Sequence, residues 1–345
     1  MEHKYEVTIG IPVYNVEKYI RLTMDSALAQ TFQSIEYLVL DDCGTDSSID
    51  IVREYQDSHP RGKDIRILQN GKNMGVSFCR NRIIDEAMGQ FLYFMDSDDT
   101  IEPFTIQLLI DAVKRTHSQI AYASYEIIDL VNNSPVQTFQ KADLQLAGDG
   151  ELALYAFSHI NVFHVSVCNN LANLEFLRQT GLRFINTCYW EDMAYTTELL
   201  TKITRAVLLS NITYHYMWRP DSLSHYQERE HLHKDEIMDN ISVINYLKGK
   251  CKIWKNEVYT PYLSKNLEMN SFYIACHIIK NAHRIDPCFS NQEIQNILHH
   301  PLSLWNILHF GHLKLMNIAL WSLGRMPLFF FLPTIRSLGK LKKAI

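Results

Sequence analysis

Continuous apolar strand segments alternate with helical segments over the first hundred residues. Strand-like runs begin near Val7, Ile35, Ile65 and Phe91, and each of the first three is followed by a stretch with helical periodicity. Strands that are apolar throughout are typical of a parallel sheet whose two faces are both covered by helices. This rhythm therefore predicts an α/β fold built on a mostly parallel central sheet.

Polar or acidic residues follow three of the predicted strands. They are Tyr14-Asn15, Asp41-Asp42 and the run from Asp96 to Asp99. Ligands of such sheets lie beyond the carboxyl ends of the strands. We therefore expect these side chains to converge on one rim of the sheet and to form a binding site there.

Charge and cysteine content narrow the classes of partner. The 33 Lys plus Arg against 38 Asp plus Glu give a net charge of -5, which does not favour a polyanion binder, so no nucleic-acid partner is expected. The seven cysteines form no CxxC motif, and the first residues contain no apolar leader. Both features favour reduced thiols in the cytoplasm.

The clustered carboxylates of Asp96-Ser97-Asp98-Asp99 need a compensating cation or proton. Hard oxygen ligands after a buried strand indicate Mg²⁺ or Mn²⁺. Short acidic motifs are common, and the alternative is that Asp98 or Asp99 only caps the helix that begins near Glu102. From this motif alone both interpretations stay open.

The same stretch also fits the nucleophile motif of haloacid-dehalogenase-like phosphatases, with Asp96 as the nucleophile. In that family the motif lies on the first strand and needs a later Lys and acidic pair. Here three strand–helix units precede it, and no convincing partner set follows. A phosphatase therefore remains the alternative enzymatic hypothesis.

An ordered set of motifs strongly resembles family 2 glycosyltransferases with the GT-A fold, over roughly residues 5 to 225. The segments that carry the resemblance are Ile11-Pro12-Val13-Tyr14-Asn15, Gln30-Thr31-Phe32, Asp41-Asp42-Cys43-Gly44-Thr45-Asp46, Asn73-Met74-Gly75-Val76-Ser77 with Arg80-Asn81, and Asp96-Ser97-Asp98-Asp99. The resemblance implies a Rossmann-like GT-A domain with a C-terminal helical extension. Its nucleotide-sugar half would span residues 1–100, its acceptor half residues 101–230, and the helical region residues 231–345.

The resemblance implies a nucleobase site on the first two strands. Pro12 and Tyr14 would frame the base with Asn15 beside them, and Asp42 would accept a hydrogen bond from it, typically from uracil. The family's usual DDGSTD reads Asp-Asp-Cys-Gly-Thr-Asp here. We expect Gly44 to supply the flexible turn one position later.

Roles near the diphosphate follow from the same resemblance. Arg80 would lie near the nucleotide, and its alternative is a strut that pairs with Asp41 or Asp96. Asp96 would face the ribose and contribute to the metal site, and Asp98 would be the direct metal ligand of the DxD motif.

The later acidic motif, Glu191-Asp192, would supply the catalytic base through Asp192. Its alternative is an acidic helix start favoured by the helix dipole. Arg219, in the family's closing segment, would clamp the diphosphate. His215 is either a further metal ligand or a histidine at the end of a strand.

Together these assignments imply an inverting, Mn²⁺- or Mg²⁺-dependent transfer of a sugar from a nucleotide-sugar donor, with UDP as the expected carrier. The acceptor would be a hydroxyl of a glycan or lipid-linked saccharide in bacterial surface polysaccharide biosynthesis. A degenerate, inactive scaffold is the non-enzymatic alternative. Retention of Asp42, Asp96, Asp98 and Asp192 argues against it.

The tail contains no acidic residue after Glu293, and its basic residues alternate with aromatic clusters such as Phe329-Phe330-Phe331. Its charge-free stretches are too short for a span of ~20 residues. The pattern predicts an amphipathic segment in a membrane interface, at the inner face of the cytoplasmic membrane. The alternative is a helical pack that closes the core or a dimer contact.

Overall fold

The structure is a computed structural model that describes residues 4–130, 132, 134–160, 163, 166–219 and 229–342. The chain forms two compact units. The first unit comprises Met1–Leu152, Ile160–Asn186 and Tyr195–Pro220, and the second comprises Ala153–His159, Thr187–Ala194 and Asp221–Ile345. The predicted division into residues 1–100, 101–230 and 231–345 stays a prediction.

Within the residues that the structure describes, the first unit contains a ten-stranded sheet in the order β3-β2-β1-β4-β9-β6-β10-β5, with β7 paired to β6 and β8 to β10. Its strands are β1 (Tyr5–Val13), β2 (Ile35–Asp41), β3 (Ile65–Gln69), β4 (Gly89–Phe94), β5 (Thr100–Ile101), β6 (Ile120–Asp129), β7 (Ser134–Phe139), β8 (Leu144–Ala147), β9 (Asn170–Asn173) and β10 (Arg205–Trp218).

The helices of this part of the chain follow the strands in sequence. They are α1 (Ile20–Leu28), α2 (Ser48–Ser58), α3 (Val76–Glu86), α4 (Thr105–Thr116), α5 (Glu151–Ser158), α6 (Leu174–Thr180) and α7 (Glu191–Leu200). The division between the two units passes through α5 and α7.

The parallel arrangement of the first four strands is as predicted. Strand β1 pairs in parallel with both β2 and β4, and β2 pairs in parallel with β3. All seven residues of β2 are buried, including Glu36, which interrupts the apolar run and lies 2.8 Å from Arg66. An antiparallel strand that the sequence pattern did not predict, β9, lies between β4 and β6.

The pairing of β5 with β10 determines where the acidic turn lies. Strand β5 begins directly after Asp99, and its residues Thr100 and Ile101 pair with His215 and Tyr214 of β10. This antiparallel pair brings the end of β10 alongside the turn at residues 96–99, although the two segments are more than a hundred residues apart in sequence.

The second unit is mainly helical, as predicted for the C-terminal region. Its helices after residue 230 are α8 (Lys234–Ile253), α9 (Thr260–Lys280), α10 (Asn291–Ile297), α11 (Leu304–Leu308), α12 (Lys314–Leu323) and α13 (Leu328–Leu341). Two short strands, β11 (Leu232–His233) and β12 (Ile285–Asp286), pair in parallel.

A buried ion pair links α8 to α9. Lys248 lies 2.7 Å from Glu268, with side-chain exposures of 7% and 0%. The ammonium also donates to the carbonyl oxygens of Ile297 and His299. Among the described residues, no helix combines the length and the apolar character that a membrane crossing requires.

Candidate active site

Two arginines pair with two carboxylates of the acidic turn between β4 and β5. Arg80, on α3, lies 2.9 Å from Asp96, and its side chain is only 6% exposed. Arg219, directly after β10, lies 2.6 Å from Asp98 and is held over the ring of Tyr19 at 4.2 Å. The structure therefore brings together four predicted site residues, Arg80, Asp96, Asp98 and Arg219.

Burial determines the electrostatics of Asp98. It raises the pKa of the Asp98 carboxyl above its ordinary value, and the neighbouring Asp96 raises it further, while Arg219 lowers it. A cation beside Asp98 therefore favours the ionised carboxylate.

A network on Asp99 anchors the acidic turn to β10. The buried Asp99 accepts hydrogen bonds from the Tyr214 hydroxyl at 2.5 Å and from the Met217 amide at 2.9 Å. The same hydroxyl accepts the Asp96 amide at 3.3 Å. Burial, and then the charges of Asp98 and Asp96, raise the pKa of Asp99 well above the usual carboxyl range.

The donor set of the turn fits a hard divalent cation. Asp96 and Asp98 offer carboxylate oxygens, and the Arg219 guanidinium already places a cationic group against Asp98. Within the described residues no three His, Cys, Asp or Glu side chains converge as a metal site. A metal role for Asp96 and Asp98 stays a prediction.

His215 contacts two glutamates. Its Nε2 lies 2.9 Å from Glu102, and its Nδ1 lies 3.0 Å from Glu126. Because side chains alternate along a strand, His215 and its neighbour Tyr214 face opposite sides of β10. A metal role for His215 would require these contacts to be exchanged, and it stays a prediction.

Asp42 is buried and accepts three hydrogen bonds. They come from the Asn70 side chain at 2.6 Å and from the amides of Met74 and Gly75, both at 2.8 Å. The carboxylate thus fixes the loop before α3. Its predicted contact with the nucleobase would add to or replace one of these bonds, and it stays a prediction.

The other predicted nucleobase residues follow the end of β1. Pro12 is half-buried in β1, whereas the Tyr14 side chain is 44% exposed. Asn15 has a left-handed backbone (φ 51), and its side-chain oxygen accepts the Thr45 amide at 2.7 Å. This bond ties the loop after β1 to the loop after β2.

The turn of the modified DDGSTD motif differs from the expectation for Gly44. Cys43 adopts the left-handed backbone (φ 58), and Gly44 does not. A Cβ at Gly44 would lie 2.9 Å from the Asn15 side-chain oxygen, so glycine is needed for close approach to Asn15. The left-handed turn thus stays at the third position of the motif, on a residue other than glycine.

Glu191 and Asp192 form the first turn of α7, in the part of the helix that belongs to the second unit. Glu191 is buried and Asp192 is half-buried. The residue before them, Trp190, has a left-handed backbone (φ 63), and its carbonyl accepts the Ala194 amide that opens the helix.

Sequence reasoning missed Asp99 and Tyr214 as positioning residues. The sequence did contain a signal for Asp99. A third carboxylate directly after Asp98, in a turn expected to be buried, needs hydrogen-bond donors from elsewhere in the protein. The identity of its partner was not available from local patterns, since Tyr214 lies 115 residues away.

Comparison with known proteins agrees with this architecture. Residues 8–179 match the family model "Glycosyl transferase family 2". The glycosyltransferase GlyA of Streptococcus pneumoniae is 36% identical over 121 residues, which are 35% of this chain and 17% of GlyA. The Escherichia coli UDP-Glc:alpha-D-GlcNAc-diphosphoundecaprenol beta-1,3-glucosyltransferase WfgD is 35% identical over 135 residues, 39% of this chain and 51% of WfgD. The matches thus span about half or less of either relative.

The fold has a close counterpart among solved structures. TarS of S. aureus (residues 1–349), solved in complex with UDP, superposes with a TM-score of 0.65 at 17% identity, covering 92% of this chain and 90% of that chain. The predicted GT-A fold is confirmed by this likeness. With the motifs in order and the family model matched, the chain belongs to glycosyl transferase family 2.

Proposed function

We propose that this protein is a divalent-metal-dependent glycosyltransferase that moves a sugar from a UDP-sugar to a hydroxyl group. The acceptor is a glycan or lipid-linked saccharide of surface polysaccharide biosynthesis. The observation that carries the proposal is the contact of Arg219 with Asp98 in the acidic turn, since this is charge chemistry suited to a diphosphate and its cation. TarS is described in complex with UDP, and WfgD is named for UDP-Glc and a diphosphoundecaprenol-linked acceptor.

Each proposed role follows from the chemistry of its side chain. Asp192 takes the proton from the acceptor hydroxyl as that oxygen attacks the anomeric carbon, and attack from the face opposite the leaving group inverts the configuration. Arg219 offers a planar, permanently charged fork that can hold two diphosphate oxygens. A divalent cation bound by Asp98 with Asp96 would supply further neutralisation of the leaving group.

The test compares one carboxamide variant, Asp192→Asn, and one alanine variant, Asp98→Ala, in the same assays of turnover and UDP binding. Asp192→Asn should lower turnover by about 10²–10⁴-fold, because general-base help is lost, and should leave UDP binding intact. Asp98→Ala should weaken the Mn²⁺-dependent binding of UDP. Asp50→Asn, which removes an exposed carboxylate from α2, is the matched control and should change neither quantity.

Two outcomes would contradict the proposal. Near-full turnover by Asp192→Asn would show that Asp192 is not the catalytic base. Release of phosphate from simple phosphomonoesters without any sugar nucleotide would favour the phosphatase hypothesis, in which Asp96 is the nucleophile.

We further propose that α12 and α13 contact an anionic membrane surface at the inner face of the cytoplasmic membrane. Phe329, Leu315 and Leu341 are 72%, 82% and 80% exposed, far more than is usual for such large apolar side chains. The basic residues of this tail are Lys314, Arg325, Arg336, Lys340, Lys342 and Lys343, and no acidic residue follows Glu293. Aromatic rings with interspersed cations suit an interface of anionic lipid.

Vesicle sedimentation tests the membrane contact. The wild-type chain should sediment with vesicles that contain anionic phosphatidylglycerol more than with neutral phosphatidylcholine vesicles. Phe329→Ser with Phe330→Ser should reduce that binding. Val136→Ser, which changes an apolar side chain that is 63% exposed on β7, should not. Equal sedimentation by all three proteins would refute the proposed surface.

A further inference from the structure

Helix α8 holds the segment that leads into the Glu191-Asp192 motif. We name residues 187–190 the leading segment. The Cys188 amide donates a hydrogen bond to Asp239 at 3.1 Å, and the Tyr189 hydroxyl donates to Glu236 at 3.2 Å. Asp239 and Glu236 lie one turn apart on α8, and they belong to the same compact unit as the leading segment.

Glu236 is itself fixed in position. Its Oε1 accepts from Arg229 at 2.8 Å, and its Oε2 accepts the His233 amide at 3.1 Å as part of a capping box at the start of α8. A capping box defines the first helical turn, so the acceptor offered to Tyr189 has a defined place. Burial, followed by the charge of Glu236, raises the pKa of Tyr189 to about 12, so its hydroxyl remains a donor at neutral pH.

The end of the leading segment is strained. Trp190 has φ 63, a strained conformation for a bulky residue that persists only where its surroundings enforce it. Its carbonyl accepts the Ala194 amide, which begins the hydrogen bonding of α7. The hydrogen bonds of Cys188 and Tyr189 immediately before it are constraints that can enforce this conformation.

We propose that Asp239 and Glu236 are positioning residues for Asp192. They anchor the leading segment, and thereby set the first turn of α7 and the direction of the Asp192 carboxylate. The inference rests on the proposed role of Asp192 as the catalytic base. It assigns a catalytic contribution to α8, which lies outside residues 8–179 matched by the family model.

The test uses Asp239→Ala with Asp239→Asn as the conservative variant. The alanine variant removes the acceptor of the Cys188 amide, whereas asparagine keeps a side-chain oxygen and loses only the charge. Since small misplacements of a catalytic group cost up to about a hundredfold, Asp239→Ala should lower kcat by about ten- to a hundredfold. KM for the UDP-sugar should stay within about twofold. Asp239→Asn should restore kcat to within about threefold of wild type.

Hydrogen exchange supplies a readout that does not depend on activity. In the peptide that covers residues 186–193, the Cys188 amide hydrogen should exchange faster in Asp239→Ala than in wild type or Asp239→Asn. Asp235→Asn is the matched control, because its carboxylate is on the same helix with a side chain 85% exposed, and it should change neither kcat nor exchange. If Asp239→Ala fails to fold, Tyr189→Phe removes only the hydroxyl that contacts Glu236. It should lower kcat several-fold without changing the binding of UDP with Mn²⁺.

The outcomes separate this inference from the proposed function. If Asp192→Asn is inactive and Asp239→Ala keeps full kcat, the positioning role is wrong and the base assignment stands. If Asp239→Asn is as impaired as Asp239→Ala, charge rather than the hydrogen bond matters, and the positioning role is again wrong. If Asp192→Asn keeps its turnover, the base assignment fails, and the proposed positioning role fails with it even if exchange at Cys188 rises.

Discussion

The hydroxyl of Tyr214 offers a sharp test of how the acidic turn is held. It donates to the buried Asp99 at 2.5 Å and accepts the Asp96 amide at 3.3 Å. Tyr214→Phe removes both hydrogen bonds and keeps the ring. Leaving a buried acceptor without its donor costs about 1–3 kcal/mol. Asp96 is only half-buried and its bond is the longer of the two, so we assign the loss mainly to Asp99 and expect about 2 kcal/mol.

Tyr122 provides the matched control. It is also buried, and its hydroxyl has no hydrogen-bond partner within the part of the chain that the structure describes. Tyr122→Phe should therefore leave the free energy of unfolding within about 0.5 kcal/mol of wild type or raise it. Urea-induced unfolding of the two variants and wild type measures the difference.

A functional consequence accompanies the loss of stability. Because Tyr214 contacts the turn that carries Asp96 and Asp98, Tyr214→Phe should weaken the Mn²⁺-dependent binding of UDP. The upper bound is about thirtyfold, which corresponds to the whole 2 kcal/mol. Equal unfolding free energies for Tyr214→Phe and Tyr122→Phe would refute the anchoring role of Tyr214.

Two further predictions concern buried charges. Glu268→Gln leaves the Lys248 ammonium, 7% exposed, without an opposite charge and should lower the free energy of unfolding by about 3 kcal/mol. Glu54→Gln, which breaks an exposed pair with Arg21, should lower it far less. Equal losses for the two variants in urea unfolding would contradict this. Burial lowers the pKa of Lys141 from 10.5 to about 8, so between pH 8 and 10.5 the unfolded chain binds more protons and stability rises with pH. Lys141→Met should remove that rise, and parallel unfolding curves for wild type and variant at pH 7 and pH 10 would show the reasoning to be wrong.

Sequence patterns were sufficient where the information is local. The apolar runs gave β1 to β4, and the polar residues after them gave the acidic turn, because strand burial and strand ends are read within a few residues. Arg80 was expected either near the nucleotide or as a strut to Asp41 or Asp96, and the structure has the contact with Asp96.

The remaining features depend on contacts between distant segments. The Tyr214–Asp99 hydrogen bond depends on the pairing of β5 with β10, and the anchoring of Cys188 depends on its contact with α8. Neither contact leaves a periodic pattern in the sequence. The short strands β7, β8 and β9 lie between residues 134 and 173, where the alternation of apolar and polar residues is weak. The sequence alone could not decide whether Cys43 or Gly44 adopts the left-handed backbone. A glycine can also be needed because a neighbouring segment approaches closely, as Asn15 approaches Gly44.

The most direct test of the proposed activity is the release of UDP from a panel of UDP-sugars with Mn²⁺ and a hydroxyl acceptor. Our account predicts release by wild type from at least one donor, a strong loss in Asp192→Asn, and a requirement for Mn²⁺ that Asp98→Ala abolishes together with UDP binding. Undiminished release of UDP by Asp98→Ala in the presence of a chelator would contradict it.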